Sequence, residues 1–417
     1  MRQPRKTIVV GAGVAGCVVA STLAAAGRQV TVIEAGAAQA HDPVPAVDLF
    51  EALNGRTRPD LLARRTSAQG LTPYLAGAGI GGGSLVNGMH MMAGRPADYS
   101  RWPGLGWSVL GPRFAALVAG RGPVPWYSPT DNGPNPLEQR LRPIMTAVGA
   151  SERRAAFCAT PTHRASLADL LTVCAVRFGT VESVLIHRGR TAGVRLASGE
   201  ELEANEVILT SGAIETPRIL LRSGCTLSGV GRRLRDHAAI VFPALVPPGE
   251  STPLLGSTRT WRWSSPGGLD DLALITHHDL VIVILMTCRS SGRIGADTVE
   301  LNLLADSRDR AALAAGVRHI APALGRPDLA ADTDAELATW LMADEGGTYH
   351  ASGTCRLGRA SDMHAVVDID GQVHGWPGAY VMDASVLPGS VRATPMATVV
   401  VVAAELAMRL AAQARRK

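Results

Sequence analysis

Between Thr7 and Gly36 the chain reads TIVVGAGVAGCVVASTLAAAGRQVTVIEAG, an order of residues that few folds accept. A short apolar stretch, Thr7 to Val10, runs into Gly11, Gly13 and Gly16. An alanine-rich helical stretch follows, and a second apolar strand, Gln29 to Ile33, ends on Glu34. In a strand–turn–helix–strand unit the three glycines have separate tasks. Gly11 permits the turn, Gly13 lets the backbone approach a pyrophosphate, and Gly16 lets the helix close onto the sheet. Free amides at the helix start then hold the diphosphate. Glu34 stands where an acid accepts hydrogen bonds from an adenosine ribose. The expected class is α/β, with a Rossmann-like dinucleotide site at this first turn.

A chain of 417 residues has length for two domains around substantial cores. Its 41 basic and 36 acidic residues leave a net charge of +5, scattered in short runs, which argues against a nucleic-acid partner. The six cysteines (17, 158, 174, 225, 288 and 355) form no CxxC pattern and fit a reducing compartment. The basic N-terminus leads into the first strand, so a signal peptide is not expected. The apolar runs at Leu280–Cys288 and Met396–Ala404 are short for a membrane span. The expectation is a cytoplasmic chain without a transmembrane segment, peripheral membrane contact being left open; its oligomeric state is not legible.

After Glu34 periodicity fades, and Ala38 to Thr72 reads as an excursion with one helix. Five glycines then fall within Gly77–Gly83, which forbids a stable helix or packed strand and suggests backbone running close to a ligand or to other backbone. Ser84 and Asn87 are the polar groups beside it. Tyr99, Trp102 and Trp107 suggest local packing beneath this loop. Further on, Val181–His187 and Ala192–Leu196 read as a hairpin. A strand at Glu206–Thr210 passes through Ser211-Gly212-Ala213 into a helix from about Thr216 to Ser223. Between 238 and 335, apolar strands (Ala238–Leu245, Leu272–Ile275, Val281–Cys288, Val299–Leu304) precede an alanine-rich helix, a sheet with helices on one face. A strand at Ala365–Ile369, another at Ala379–Met382 ending on Asp383, and a helix Met396–Ala412 behind Pro395 complete the expected elements.

No HExxH, GxSxG, P-loop or metal-ligand spacing is present. His277 and His278, adjacent on a strand, face opposite sides. His350, within YHASGTCRLG, is the candidate base.

Four blocks together resemble the glucose–methanol–choline (GMC) oxidoreductases, flavoproteins that bind FAD. They are GAGVAG with Glu34; GGGSLVNGMHMMAGRPADYSRW from Gly81; VILTSGAIETPRILLRSG from Val207, followed by GVGRRLRDH; and YHASGTCRLG with VVDIDGQVHGWPGAYVMDASVLPGSVRATPMAT. The resemblance implies an FAD-binding domain of discontinuous segments (1–37, 73–112, 178–237, 344–417). A smaller α+β substrate-binding domain with excursions would comprise 38–72, 113–177 and 238–343. It implies that Gly82, Gly83, Ser84 and Asn87 line the flavin and pyrophosphate region. Ala213 would lie beside the cofactor, and Asp383 would face its phosphates or ribityl chain. Leu85 and Val86 stand where some members carry a flavin-linked histidine, so FAD is expected to be non-covalent.

The implied reaction is oxidation of an alcohol CH–OH group by hydride transfer to flavin N5, with His350 as base. Oxygen, a quinone, a protein or a peptide-derived carrier is the acceptor; some short bacterial members of this kind are associated with mycofactocin. Two features depart from the family pattern. Thr394 occupies the second catalytic position, usually histidine or asparagine, and cannot act as a base near neutral pH. The chain is also short, which implies a reduced substrate domain. An NAD(P) dehydrogenase, an impaired flavoprotein acting as a binding or electron-transfer partner, and an FAD-containing lyase remain as alternative readings.

Overall fold

The structure is a computed structural model that describes residues 5–36, 53, 55–129, 134–161, 163–243, 259–277 and 280–414. Its organising layer is a five-stranded parallel sheet in the order Ala379–Val381, Glu206–Leu209, Lys6–Val10, Gln29–Glu34, Ala175–Phe178. The three strands at one side are buried almost throughout, as parallel strands covered on both faces must be. The helix Val14–Ala25 leaves the first strand and packs against the C-terminal helix Pro395–Ala414. That last helix is long and apolar enough to cross a membrane by composition, but 72% of its apolar window is buried inside the protein. It is the core helix of this layer.

A second, antiparallel sheet has the order Ala239–Pro243, Leu280–Leu285, Leu272–His277, Arg259–Trp263, Ser151–Arg154. The helix Ser307–Ile320 packs on it, and the helix Asp334–Asp344 packs on that helix. The latter is started by a capping box in which Thr333 and Glu336 satisfy each other's backbone amides. A small sheet joins Arg232–Leu234, Gly292–Ile294, Val299–Glu300, Leu62–Arg64 and Leu71–Pro73. The hairpin Val181–His187 and Arg190–Leu196 carries a third short strand, Glu201–Glu203.

Buried apolar side chains form two main clusters, one around the parallel sheet and one around the antiparallel sheet. Residues 113–177, expected beside the second, are divided between them. Phe114, Leu117, Val124, Leu167 and Leu171 pack into the first cluster, while Leu137, Leu141 and Met145 pack into the second. The strand Ala175–Phe178, which the sequence reading did not single out, adds the outer edge to the parallel sheet.

Several expected boundaries shift. The helix expected from Thr216 begins at Gly212, because the carboxylate of Asp383 takes up the free amide of Gly212. Ala365–Ile369 forms no strand; Val367 makes only isolated bridges to Leu357 and Val373. The strand expected over Val299–Leu304 is confined to Val299–Glu300, since Asn302 and Leu304 take left-handed backbone. Of the 38–72 excursion, residues 38–52 and 54 lie outside the described residues.

Candidate active site and cofactor cradle

Two glycine-rich segments cross at the C-terminal end of the first strand. Gly11 has φ +97° and donates to the Ile33 carbonyl at 2.8 Å. A Cβ at Gly16 would be driven into the carbonyl oxygen of Gly11, so the helix can lie this close only with glycine there. Gly81 donates to the Ala12 carbonyl at 2.7 Å, and a Cβ on Gly82 would stand 2.8 Å from the Cα of Gly13. The short 3-10 turn Gly82–Leu85 therefore lies directly on the first turn. Other glycines are bare for a different reason. A Cβ on Gly83 or Gly212 would meet nothing within 4 Å, and one on Gly13 only the Thr210 carbonyl oxygen at 3.9 Å. Those three positions face space rather than protein.

Glu34 is buried at the end of the second strand. Its Oε2 accepts from the Ala12 amide and its Oε1 from the Gly36 amide, both at 2.7 Å. A carboxylate has about four acceptor sites, so two remain for a ligand's hydroxyl groups.

Asp383 is hydrogen-bonded to protein groups through both carboxylate oxygens. Its Oδ2 accepts from the Gly212 amide (2.8 Å) and the Thr216 hydroxyl (2.6 Å). Its Oδ1 accepts from the amide (2.8 Å) and hydroxyl (2.5 Å) of Ser385. Four protein donors fill the carboxylate, and the side chain is buried, which raises its pKa. Its carboxylate ties the helix Gly212–Arg222 to the turn Ala384–Val386 and has no acceptor site left over. Ala213, next in that helix, is buried, and its carbonyl accepts from Thr354 at 2.7 Å.

Ser84 turns its hydroxyl back onto the Gly81 carbonyl at 2.9 Å. Asn87 accepts from the Met89 amide at 3.0 Å and directs its Nδ2 to the Met396 sulfur at 3.4 Å. Arg164 clamps this turn from behind, donating to the carbonyls of Ser84 (3.2 Å) and Asn87 (2.6 Å).

His350 follows from two strand-like segments laid side by side. Arg235 and Ser352 exchange backbone hydrogen bonds at 3.0 and 2.9 Å, which brings Asp236 and His237 beside His350. Asp236 Oδ1 accepts from the amides of His350 (2.7 Å) and His237 (2.8 Å) and from the Thr348 hydroxyl (2.8 Å). Its Oδ2 accepts from the Tyr74 hydroxyl at 3.1 Å. Burial raises the Asp236 pKa to about 6 in spite of these donors. The Nδ1 atoms of His237 and His350 are 3.0 Å apart. Burial, followed by the nearby His237 and His90 rings, holds the His350 pKa well below its ordinary value, so the ring is neutral at pH 7. His350 is half-buried, and its Nε2 bonds to no side chain or backbone group among the described residues.

Thr394 lies just ahead of the C-terminal helix, buried, and donates to the His90 carbonyl at 3.0 Å. The His90 ring packs against Phe157 and His277 with centroids 4.8 and 4.9 Å away. The His277 ring lies over Gly88, where a Cβ would collide with it; His278 lies outside the described residues. Sequence reasoning missed Asp236, His237 and Tyr74. The block GVGRRLRDH read as a polar loop, and only its Asp-His pair at the mouth of a strand hinted otherwise.

The description "GMC oxidoreductase" matches residues 5–113 and 162–239 with its N-terminal part and 286–403 with its C-terminal part. The chain belongs to the GMC oxidoreductase family. It is 28% identical to the 5-(hydroxymethyl)furfural oxidase of Methylovorus sp. (strain MP688), covering 91% of this chain and 94% of that one. It is 26% identical to the pyridoxine 4-oxidase of Microbacterium luteolum, covering 95% and 97%. Among solved structures, formate oxidase of Aspergillus oryzae RIB40 superposes with a TM-score of 0.86 at 18% identity over the whole of both chains. The furfural-oxidase alignment runs over 498 positions against a chain of 417 residues, so this GMC protein lacks at least 81 positions that its relative fills.

GMC oxidoreductases act on alcohols with FAD, and FAD is the cofactor of this chain. The cradle fits it: open positions at Gly13, Gly83 and Gly212 adjoin a helix N-terminus, and Glu34 keeps acceptor sites free.

Proposed function

We propose that this GMC protein oxidises the CH–OH group of a small alcohol, with His350 as the base that takes the hydroxyl proton. The single observation behind this reading is the His350 ring, neutral, with Nδ1 engaged by His237 and Nε2 left without a protein partner among the described residues. Gly11, Gly13, Gly16 and Glu34 would hold the adenosine diphosphate half of FAD. Gly82, Gly83, Ser84, Asn87 and Ala213 would line its flavin half, with any Asp383 contact made through the backbone. Bound FAD supplies the electron-pair acceptor at flavin N5 for the hydride leaving the carbinol carbon. His350 Nε2 accepts the hydroxyl proton as charge builds on the oxygen, which is worth 10²- to 10⁴-fold in similar general-base sites, as an order of magnitude. Thr394 contributes by fixing the backbone at His90.

With Leu85 and Val86 in the turn before Asn87, FAD is held without a covalent bond. Two domains divide the work, the parallel sheet carrying FAD and the antiparallel sheet the substrate. Electrons leave to an acceptor, with a carrier other than oxygen preferred.

The test is anaerobic absorbance of the FAD-loaded protein with 5-(hydroxymethyl)furfural, pyridoxine, choline and benzyl alcohol. Bleaching of the oxidised-flavin band by one of them supports the reading, and admitting oxygen then sorts oxidase from dehydrogenase. An inert flavin with every alcohol, or alcohol turnover without loss of the band, contradicts it. Acid precipitation that leaves flavin in the pellet would refute non-covalent binding.

A further inference from the structure

The antiparallel sheet has two unlike faces. Trp261, Trp263, Leu272, Leu274, Val283 and Leu285 pack with the helix Ser307–Ile320 in one core cluster. Successive strand residues alternate, so Arg262 points from the other face, toward Met92 and Arg392 of the FAD-binding layer. Strand register carries that face from Arg262 through Ala273 and Ile284 to Ala239, which stands two residues after His237. Ala239, Ala273 and Ile284 cluster with Met286, and Met92 packs against them. The row between Arg262 and the histidines is therefore small and apolar.

Arg262 is 3% exposed, and its three nitrogens are engaged unequally. Nη1 donates to the carbonyl of Arg392, two residues before Thr394. Nη2 has only the Met92 sulfur, 3.9 Å away, and Nε has no partner. Asp98 is taken by Arg392 at 2.7 Å and Asp270 by Arg95, so three guanidiniums at this corner share two carboxylates. Among the described residues Arg262 pairs with no carboxylate. A buried charge in that condition is costly unless another group neutralises it. Burial lowers its pKa to about 10, which leaves it charged at pH 7.

Nε and Nη2 form the side-on fork of a guanidinium, and this chain uses that fork on its own carboxylates, as Arg326 does on Asp328 at 3.0 and 2.7 Å. In Arg262 no oxygen fills the fork. Met92, the unbranched side chain against it, is half-buried, and Ala93 beside it is exposed, so open space lies one side chain away. We infer that Arg262 is a substrate-binding residue that selects alcohols bearing a carboxylate, held in this fork while the carbinol reaches His350. Three strand spacings, about 14 Å, separate the backbones of Arg262 and Ala239. With side chains reaching in from both ends, that span suits one aromatic ring between carboxylate and carbinol. The inference rests on the alcohol reading above, but carboxylate binding is measurable without turnover.

The experiment uses FAD-loaded protein and two matched pairs of probes. Calorimetry compares 4-methylbenzoate with 4-methylbenzamide, and anaerobic flavin reduction compares 4-(hydroxymethyl)benzoate with 4-methylbenzyl alcohol. The wild type is expected to prefer the carboxylate by about 30-fold in Kd and in reduction efficiency, the worth of a buried charge-assisted pair. In Arg262→Gln both preferences disappear, and in Arg262→Lys, which keeps the charge but not the fork, they fall to about threefold. Each preference is a ratio within one protein, so a general loss of stability cancels. A wild type without preference, or an Arg262→Gln protein that keeps it, overturns the inference. If Arg262→Gln does not fold, the wild type and Arg262→Lys decide. Neutral alcohols that reduce the flavin as well as the acid does would refute the selection and leave alcohol oxidation standing. Tight binding of 4-methylbenzoate in a protein that no alcohol reduces would refute alcohol oxidation and leave the carboxylate site standing.

Discussion

Thr394 Oγ1 donates its proton to the backbone carbonyl of His90, 3.0 Å away, in a buried contact across the start of the C-terminal helix. A hydroxyl has a single hydrogen to donate. Thr394 therefore has none for an alcohol oxygen, and its position ahead of Pro395 serves to join the helix to the segment that follows Asn87. Thr394→Val is expected to lower stability by about 1 kcal/mol, the usual net worth of one such bond. The flavin reduction rate should remain within about threefold of wild type. Stopped-flow absorbance and thermal unfolding check both; a fall of 100-fold in rate would restore Thr394 to the reaction.

The glycines separate into two kinds with opposite responses to a methyl group. Gly16→Ala drives a Cβ into the Gly11 carbonyl, and an overpacked core position of this sort costs about 3 kcal/mol or more. Gly83→Ala meets open space, so the apoprotein should unfold within about 0.5 kcal/mol of wild type. Its FAD affinity should nevertheless fall about tenfold, measured by flavin fluorescence titration. Equal FAD affinity in Gly83→Ala would remove that position from the cofactor cradle.

Glu345 is buried, its Oε1 accepting from the amides of Ala239 (3.1 Å) and Gly347 (2.8 Å), and burial lifts its pKa from 4.5 to about 7. The folded protein therefore holds a proton that the unfolded chain has already lost between those pH values. Stability from this group is complete below pH 4.5 and is lost as pH rises through 7. Glu345→Gln is free of that penalty. Its stability relative to wild type should rise by about 3 kcal/mol between pH 4.5 and pH 8, from the size of the shift. Denaturant unfolding of both proteins at the two pH values tests this, and a constant difference would contradict it.

The geometry of the first turn was legible in the sequence because its constraints are local. Gly11, Gly13, Gly16 and Glu34 lie within one strand–turn–helix–strand unit, where spacing alone fixes who meets whom. His350 stood out because few titratable residues share its small-residue segment. His237 did not, since its partner is 113 positions away and the pairing depends on the exchange between Arg235 and Ser352. Asp383 was legible as a residue at a strand end, but its hydrogen bonds were not, since the donors to its carboxylate come from Gly212 and Thr216 as well as from neighbouring Ser385. The edge strand Ala175–Phe178 was hidden for a related reason. An outer strand is less buried than its neighbours, and its mixed residues carry no clear apolar run.

His350 carries the central claim, and the direct measurement is anaerobic stopped-flow reduction of the flavin by the best alcohol in wild type and His350→Gln. The account predicts equal FAD content and a reduction rate lowered by about 10²- to 10⁴-fold in the variant. A His350→Gln protein that binds FAD and is reduced at the wild-type rate would contradict it.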